Sequence, residues 1–405
     1  MACHAHAPHT RQKQRVFMDS KPTRRTEVDT LVIGAGPAGL ATAACLAQHG
    51  ERALVIDQAR EVASSWRHHY ERLHLHTVKT HSALPGLPFP DNAPRYVPRQ
   101  GVVDYLTRYA DHHGIQPDLG EAVVGIEPAA PGAGWITLTA SGRLIASRQV
   151  VVATGANRRP RAPVLPGQSH FGGRVLHSRE YRNATPFAHQ RVLVVGMGNT
   201  GAEIALDLVE HGVRAALSVR SPLNIVYRDV LGRPTQLSSI LLSRLPPALG
   251  DAAATLLRNL SVGDLGRYGL HTATVSPLRQ LREDGKTPVI DVGTVARIRK
   301  GDIQVYPGIQ TLLHGGVRFT DNTEHPFDTV LLATGYDPAL CELFPATPLS
   351  LDARGMPTEV VGQGALTGVY FVGFDVRQPG GLLRAIAAQA QRVAYHIAGA
   401  SRNSP

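Results

Sequence analysis

Two stretches of this chain carry the same punctuation, and they constrain its fold more than any other feature. "TLVIGAGPAGLATAACLAQHGERALVID" is an apolar run, a turn through Gly34, Gly36 and Gly39, a helix of small residues, and a second apolar run ending at Asp57. "RVLVVGMGNTGAEIALDLVEHGVRAALSVRS" repeats that order through Gly196, Gly198 and Gly201 and ends at Arg220 and Ser221. Each predicts a βαβ unit: the first glycine allows the tight turn, the second lets backbone approach a pyrophosphate, and the third lets helix and strand pack closely. The helix N-terminus then turns its partial positive charge on the phosphates. Two such units imply an α/β, Rossmann-like chain holding two dinucleotides that must meet, and a flavin and a nicotinamide are the natural pair.

The two units end differently. Asp57 lies 23 residues after Gly34, where a carboxylate accepts from ribose hydroxyls; with Pro37, Ala38 and Gln58 it belongs to the expected FAD site. The same offset from Gly196 reaches Val219, followed by Arg220 and Ser221, with no acid to repel a 2′-phosphate. An arginine there binds that phosphate through charged hydrogen bonds, so NADPH is expected over NADH, with Asn199 and Thr200 opening the helix beneath it. Both units later return through strand, turn, strand to Ala-Thr-Gly, at Thr154 and Gly155 and again at Ala333, Thr334 and Gly335. This reads as a weak internal duplication. Val123 is placed in the FAD site as well. After Gly373 a glycine-rich turn precedes a long helix from about Leu382, whose N-terminus would face the flavin pyrimidine ring.

Composition removes other classes. Of the 405 residues 43% are apolar and 18% charged, which fits a globular protein, and the apolar runs are far short of the ~20 residues of a membrane span. The net charge of +10 is dispersed and aromatics are 5%, so no nucleic-acid partner is expected. Three separated cysteines fit a cytoplasmic protein and supply no C-x-x-C for a flavin disulfide reductase. Residues 1–26 lack the apolar core of a secretory signal and are expected to be a flexible tail, with Met1 or Met18 as the start. "CHAHAPH" in that tail could ligate a metal weakly but has nothing nearby to fix its ligands, and His74 and His76, expected on one face of a strand, lack a nearby Cys, Asp or Glu cluster; no metal is expected.

Phe171-x-Gly173-x-x-x-His177-x-x-x-Tyr181, ahead of the second glycine turn, resembles the identifying segment of class B flavin-containing monooxygenases, and "DTVLLATGY" (328–336) resembles their second signature. "VASSWRHHYERLHLHTVK", "PRYVPRQGVVDYL" and "KTPVIDVGTVARIRKGDIQVYPGI" are most similar to plant YUCCA-type indole-3-pyruvate monooxygenases. The resemblance implies an FAD- and NADPH-dependent enzyme that forms a C4a-(hydro)peroxyflavin and oxidatively decarboxylates a 2-oxo acid. N- or S-oxygenation, Baeyer–Villiger chemistry and an NADPH:flavin reductase or oxidase are the alternatives. It places Ser65 and Trp66 near the FAD, and His76 beside the flavin where amine oxygenases carry Asn; an imidazole there would hydrogen-bond or protonate the oxygenated flavin. It makes 171–181 an interdomain linker with His177 structural or coupling. The FAD domain is expected at 27–187 and 295–405, with an NADPH domain at 188–294. Lys79, Arg95 and Arg99 are equal candidates for the substrate carboxylate. The helical, apolar segment 228–275 would cap the substrate cleft or pack a homodimer.

Overall fold

The computed structural model describes residues 24–130 and 132–402. Two sheets organise the chain. The first contains β1 (Arg24–Ile33), β2 (Ala53–Asp57), β3 (Asp118–Leu119), β4 (Val123–Pro128), β5 (Trp135–Thr139) and β6 (Arg143–Val152) in the order β3-β2-β1-β6-β5-β4. Strand β6 does double duty: Leu144 to Ser147 pair antiparallel with β5, while Val150 to Val152 pair parallel with a late strand, Val369–Phe371. The buried half of β1, Thr30 to Ile33, has no exposed position, as expected of a parallel strand covered on both faces.

Helix α1 (Pro37–Gln48) and the C-terminal helix α2 (Leu382–Arg402) cover one face. Ala38, Gly39, Ala41 and Ala44 make α1 thin enough for Leu383, Ile386, Val393 and Ile397 of α2 to bury against it. Each such aliphatic contributes about 1.5–3 kcal/mol by leaving water.

The second sheet is wholly parallel and holds Arg174–His177, Arg191–Val195, Arg214–Ser218, Gln304–Tyr306 and Thr329–Leu332, with Arg191–Val195 and Arg214–Ser218 flanking helix α3 (Asn199–Glu210). A three-stranded antiparallel meander, Ile309 to Pro326, intervenes before the last of these strands.

Several expectations shift. Arg24 to Thr26 already pair with Arg143 to Ile145, so the expected tail of 1–26 ends earlier; its remainder, with "CHAHAPH", Met1 and Met18, lies outside the described residues. Divisions at 188 and 295 cut through the second sheet, because Arg174–His177 and the strands at 304–306 and 329–332 belong to it. Nothing in composition marks those boundaries, since every strand of a parallel sheet is similarly apolar. For the same reason "FGGRVLHSREY" is not a plain linker: Arg174–His177 is an edge strand paired with Thr329–Leu332. The duplication is also partial, because β5 and β6 join the first sheet whereas the meander stands apart from the second. Finally, His74 and His76 share no strand; the segment is irregular, with a single bridge between His74 and Pro98.

Candidate functional site

The two glycine corners are built alike. Gly34 donates its N–H to the Ile56 carbonyl at 2.7 Å and Gly196 to the Ser218 carbonyl at 2.9 Å, each at positive φ (+117° and +97°). A Cβ on Gly34 would stand 2.4 Å from the Ala153 carbonyl oxygen, and one on Gly196 2.9 Å from that of Ala333, so each corner rests on its Ala-Thr-Gly strand end. Gly39 and Gly201 are tighter still: a Cβ would meet the carbonyl oxygens of Gly34 and Gly196 at 1.7 and 1.9 Å. Gly36 and Gly198, at the N-caps of α1 and α3, face open space within 4 Å. Gly155 and Gly335 also face open space, at φ +76° and +83°. Close packing below and an empty concavity above, at a helix N-terminus, is the shape a pyrophosphate needs. The buried Thr154 Oγ1 has no protein partner, which further suits a bound group on the first corner.

Around the first corner, Asp57 accepts from the Ala35 N–H at 2.6 Å and the Ala59 N–H at 2.7 Å, which holds its carboxylate at the rim. Gln58 and Ser65 are exposed and Trp66 half-buried, and the 63–67 turn is fixed by the Ala63 N–H donating to the Ala35 carbonyl. Val123 is buried beside Ile33 and Ile56 on the far side of the sheet, so its side chain belongs to the core. Gly373, at φ +92°, lies against Ala38, and the buried Gln389 accepts from its N–H at 2.8 Å. Leu382 begins the C-terminal helix, directly after Gly380 and Gly381.

Around the second corner, Asn199 is committed to its own unit: its Oδ1 accepts from the Ile290 N–H at 2.7 Å. Thr200 hydrogen-bonds the Tyr70 hydroxyl. Arg220 and Ser221 are exposed, and Arg220 has no ion-pair partner among the described residues. His177 accepts at Nδ1 from the Arg179 N–H and meets the Gly335 carbonyl through Nε2 at 3.1 Å, under the Tyr336 ring; burial holds its pKa below the ordinary value. Tyr181 donates to the buried Asp207 at 2.5 Å. This segment therefore braces the second unit.

A mainly apolar cavity is lined by residues of both units. His76, Thr77, Gly380 and Gly381 reach it from the first unit, while the second supplies helices 235–242, 247–262 and 277–284. Segment 228–275 thus walls a cavity, and its helices also turn Leu249, Leu256 and Leu260 outward. Gln236 ties the two sides, accepting from the Val78 N–H at 2.7 Å and donating to the Gly380 carbonyl at 2.6 Å.

None of the three cations named from the sequence lines this cavity. Lys79 Nζ donates to the carbonyls of Pro90, Asp91 and Ala93, Arg99 to that of Arg67, and Arg95 to that of Gly232. The cavity's arginines are Arg228, stacked 4.1 Å over the Tyr96 ring, and the buried Arg258. Arg258 is spent on Asn224, Asn259 and the Ala273 carbonyl. Sequence reasoning missed Arg228, Gln236 and Glu203, the last meeting His76 Nε2, because each acts on a segment far away in the chain. Among the described residues no group of three or more His, Cys, Asp or Glu is placed to hold a metal, and no helix is long and apolar enough to cross a membrane.

Residues 31–231 match the family model described as pyridine nucleotide-disulphide oxidoreductase. The chain is 40% identical over 325 residues to an indole-3-pyruvate monooxygenase, YUCCA1, of Oryza sativa subsp. japonica, covering 79% of this chain and 80% of that one. It is 36% identical over 393 residues to the probable indole-3-pyruvate monooxygenase YUCCA1 of Arabidopsis thaliana, covering 94% of each. A flavin-containing monooxygenase from Stenotrophomonas maltophilia shares the fold with a TM-score of 0.71 at 22% identity, over 93% of this chain and 99% of that one. Cyclohexanone monooxygenase from Rhodococcus sp. Phi1, bound to NADP+, does so with a TM-score of 0.68 at 17% identity, over 94% and 86%.

Proposed function

This chain belongs to the indole-3-pyruvate monooxygenase family of flavin monooxygenases, and from that premise we propose that it is a cytoplasmic enzyme that uses FAD, NADPH and dioxygen to convert a 2-oxo acid into the acid one carbon shorter. The balance is R–CO–COO⁻ + O2 + NADPH + H⁺ → R–COO⁻ + CO2 + NADP⁺ + H2O. The observation that supports it is the pair of glycine corners of matching geometry, accompanied by a mainly apolar cavity lined by residues of both units.

FAD, when bound, supplies the electron transfer and dioxygen activation that no side chain can. The first corner, with Asp57 at its rim, would hold FAD; the second, with Arg220 and Ser221 at its strand end, would hold NADPH. Thr154, Gly155, Ala333, Thr334 and Gly335 shape the floors of the two corners. Helix α2 presents its N-terminus from Leu382, after the glycine pair 380–381, where it would favour negative charge. The apolar walls exclude water, which would otherwise divert activated oxygen to hydrogen peroxide. His76 would hydrogen-bond the oxygen-bearing group or the proton it carries, being the imidazole that lines the cavity from the first unit. Arg228 would hold the substrate carboxylate: it lines the cavity, held by the Tyr96 ring and by a 3.4 Å contact to its sequence neighbour Asp229, whereas the buried Arg258 is committed to two amides and a carbonyl.

Anaerobic NADPH should bleach the bound flavin, and readmitted oxygen with a 2-oxo acid should yield carbon dioxide in proportion to the NADPH consumed. Bleaching followed by hydrogen peroxide alone would reduce the enzyme to a reductase or oxidase.

A further inference from the structure

One buried acid has no part in the reading above. Glu203 lies on α3, on the helix that opens at the second glycine corner, and its side chain is 4% exposed. No lysine or arginine ion-pairs with it among the described residues. Its hydrogen-bond partner is His76 Nε2, from the first unit, and the Tyr70 hydroxyl stands beside it. Burying a carboxylate costs several kcal/mol unless hydrogen bonds replace its water, so these two contacts across the unit boundary are what makes the position tolerable.

The same contact decides which way His76 faces. A carboxylate accepts only, so Nε2 must carry the hydrogen, and Nδ1 has no protein hydrogen-bond partner among the described residues while the ring lines the cavity. Thr200, three residues before Glu203 on α3, also stands beside the Tyr70 hydroxyl.

We propose that Glu203 is a positioning residue: it holds the Nε2–H of His76, leaves Nδ1 to the cavity, and fixes the imidazole to the helix that carries the second nucleotide corner. This rests on the reading of His76 given above, but its first test does not require turnover. Long-range ¹H–¹⁵N correlation spectra of histidine-labelled enzyme, assigned with H76Q, should show His76 protonated at Nε2 in the wild type. E203A should lose that preference, whereas E203Q, whose amide oxygen still accepts, should keep it. In turnover, organic product per NADPH should fall about 10-fold or more in E203A, the worth of one charge-assisted hydrogen bond, and recover largely in E203Q, with hydrogen peroxide making up the difference. A wild-type His76 protonated at Nδ1, or a spectrum unchanged in E203A, overturns the proposal. Should E203A not fold, the wild-type tautomer and the E203Q yield decide: Nδ1–H, or a yield in E203Q as low as in H76Q, also overturns it. A wild type with the expected tautomer but no oxygenated product would instead defeat the functional reading.

Discussion

Single side chains carry three predictions. Arg220 stands exposed and unpaired at the strand end after the second corner. R220A should raise KM for NADPH about 10-fold or more, the loss of charged hydrogen bonds worth about 1.5–3 kcal/mol, and leave KM for NADH within about 2-fold; equal rises would remove the case for the phosphorylated nucleotide. R228A should raise KM for the 2-oxo acid about 10-fold or more by the same arithmetic, and an unchanged KM would place the carboxylate elsewhere. Burial, reinforced by Arg182, holds His69 down to about 4 from the ordinary 6.5. The folded state thus disfavours protonation, so this contribution to stability is complete above pH 6.5 and is lost as pH falls toward 4. Burial shifts His177 in the same direction. Tm should fall across that window, less steeply in H69Q, and identical slopes would contradict the assignment. At this scale the sequence marked what has a fixed offset from a glycine, such as Asp57 and Arg220. It was blind to Arg228 and Glu203, whose meaning comes from contacts 132 and 127 residues away, with Tyr96 and His76 respectively.

Among elements, the glycine corners separate packing from binding. A Cβ at Gly201 would meet a backbone oxygen at 1.9 Å, whereas one at Gly198 would meet nothing within 4 Å. G201A should therefore cost about 1–3 kcal/mol of stability by overpacking, as read from urea unfolding. G198A should stay within about 0.5 kcal/mol of the parent yet bind NADP⁺ more weakly, because its methyl fills the space left for phosphate. Equal destabilisation by both would mean that the second corner is not shaped for a ligand. Both βαβ units and the C-terminal helix were legible because their apolar period and glycine spacing are local. The edge strand Arg174–His177 was not, since four residues between turns carry too little period to be told from a connection.

For the whole molecule, the presence of two nucleotide units was readable and their boundaries were not, because the second sheet gathers strands from residue 174 to residue 332 across a meander. What the chain gains from this arrangement is an apolar cavity walled by residues of both units and clasped by Gln236. Reducing equivalents should pass from one nucleotide to the other, and one oxygen atom should enter the substrate. Turnover of indole-3-pyruvate with NADPH under ¹⁸O2 tests this most directly. One ¹⁸O should appear in the carboxylate of the shortened acid, with one carbon dioxide released per NADPH oxidised. Unlabelled acid, with the label recovered only in hydrogen peroxide, would contradict it.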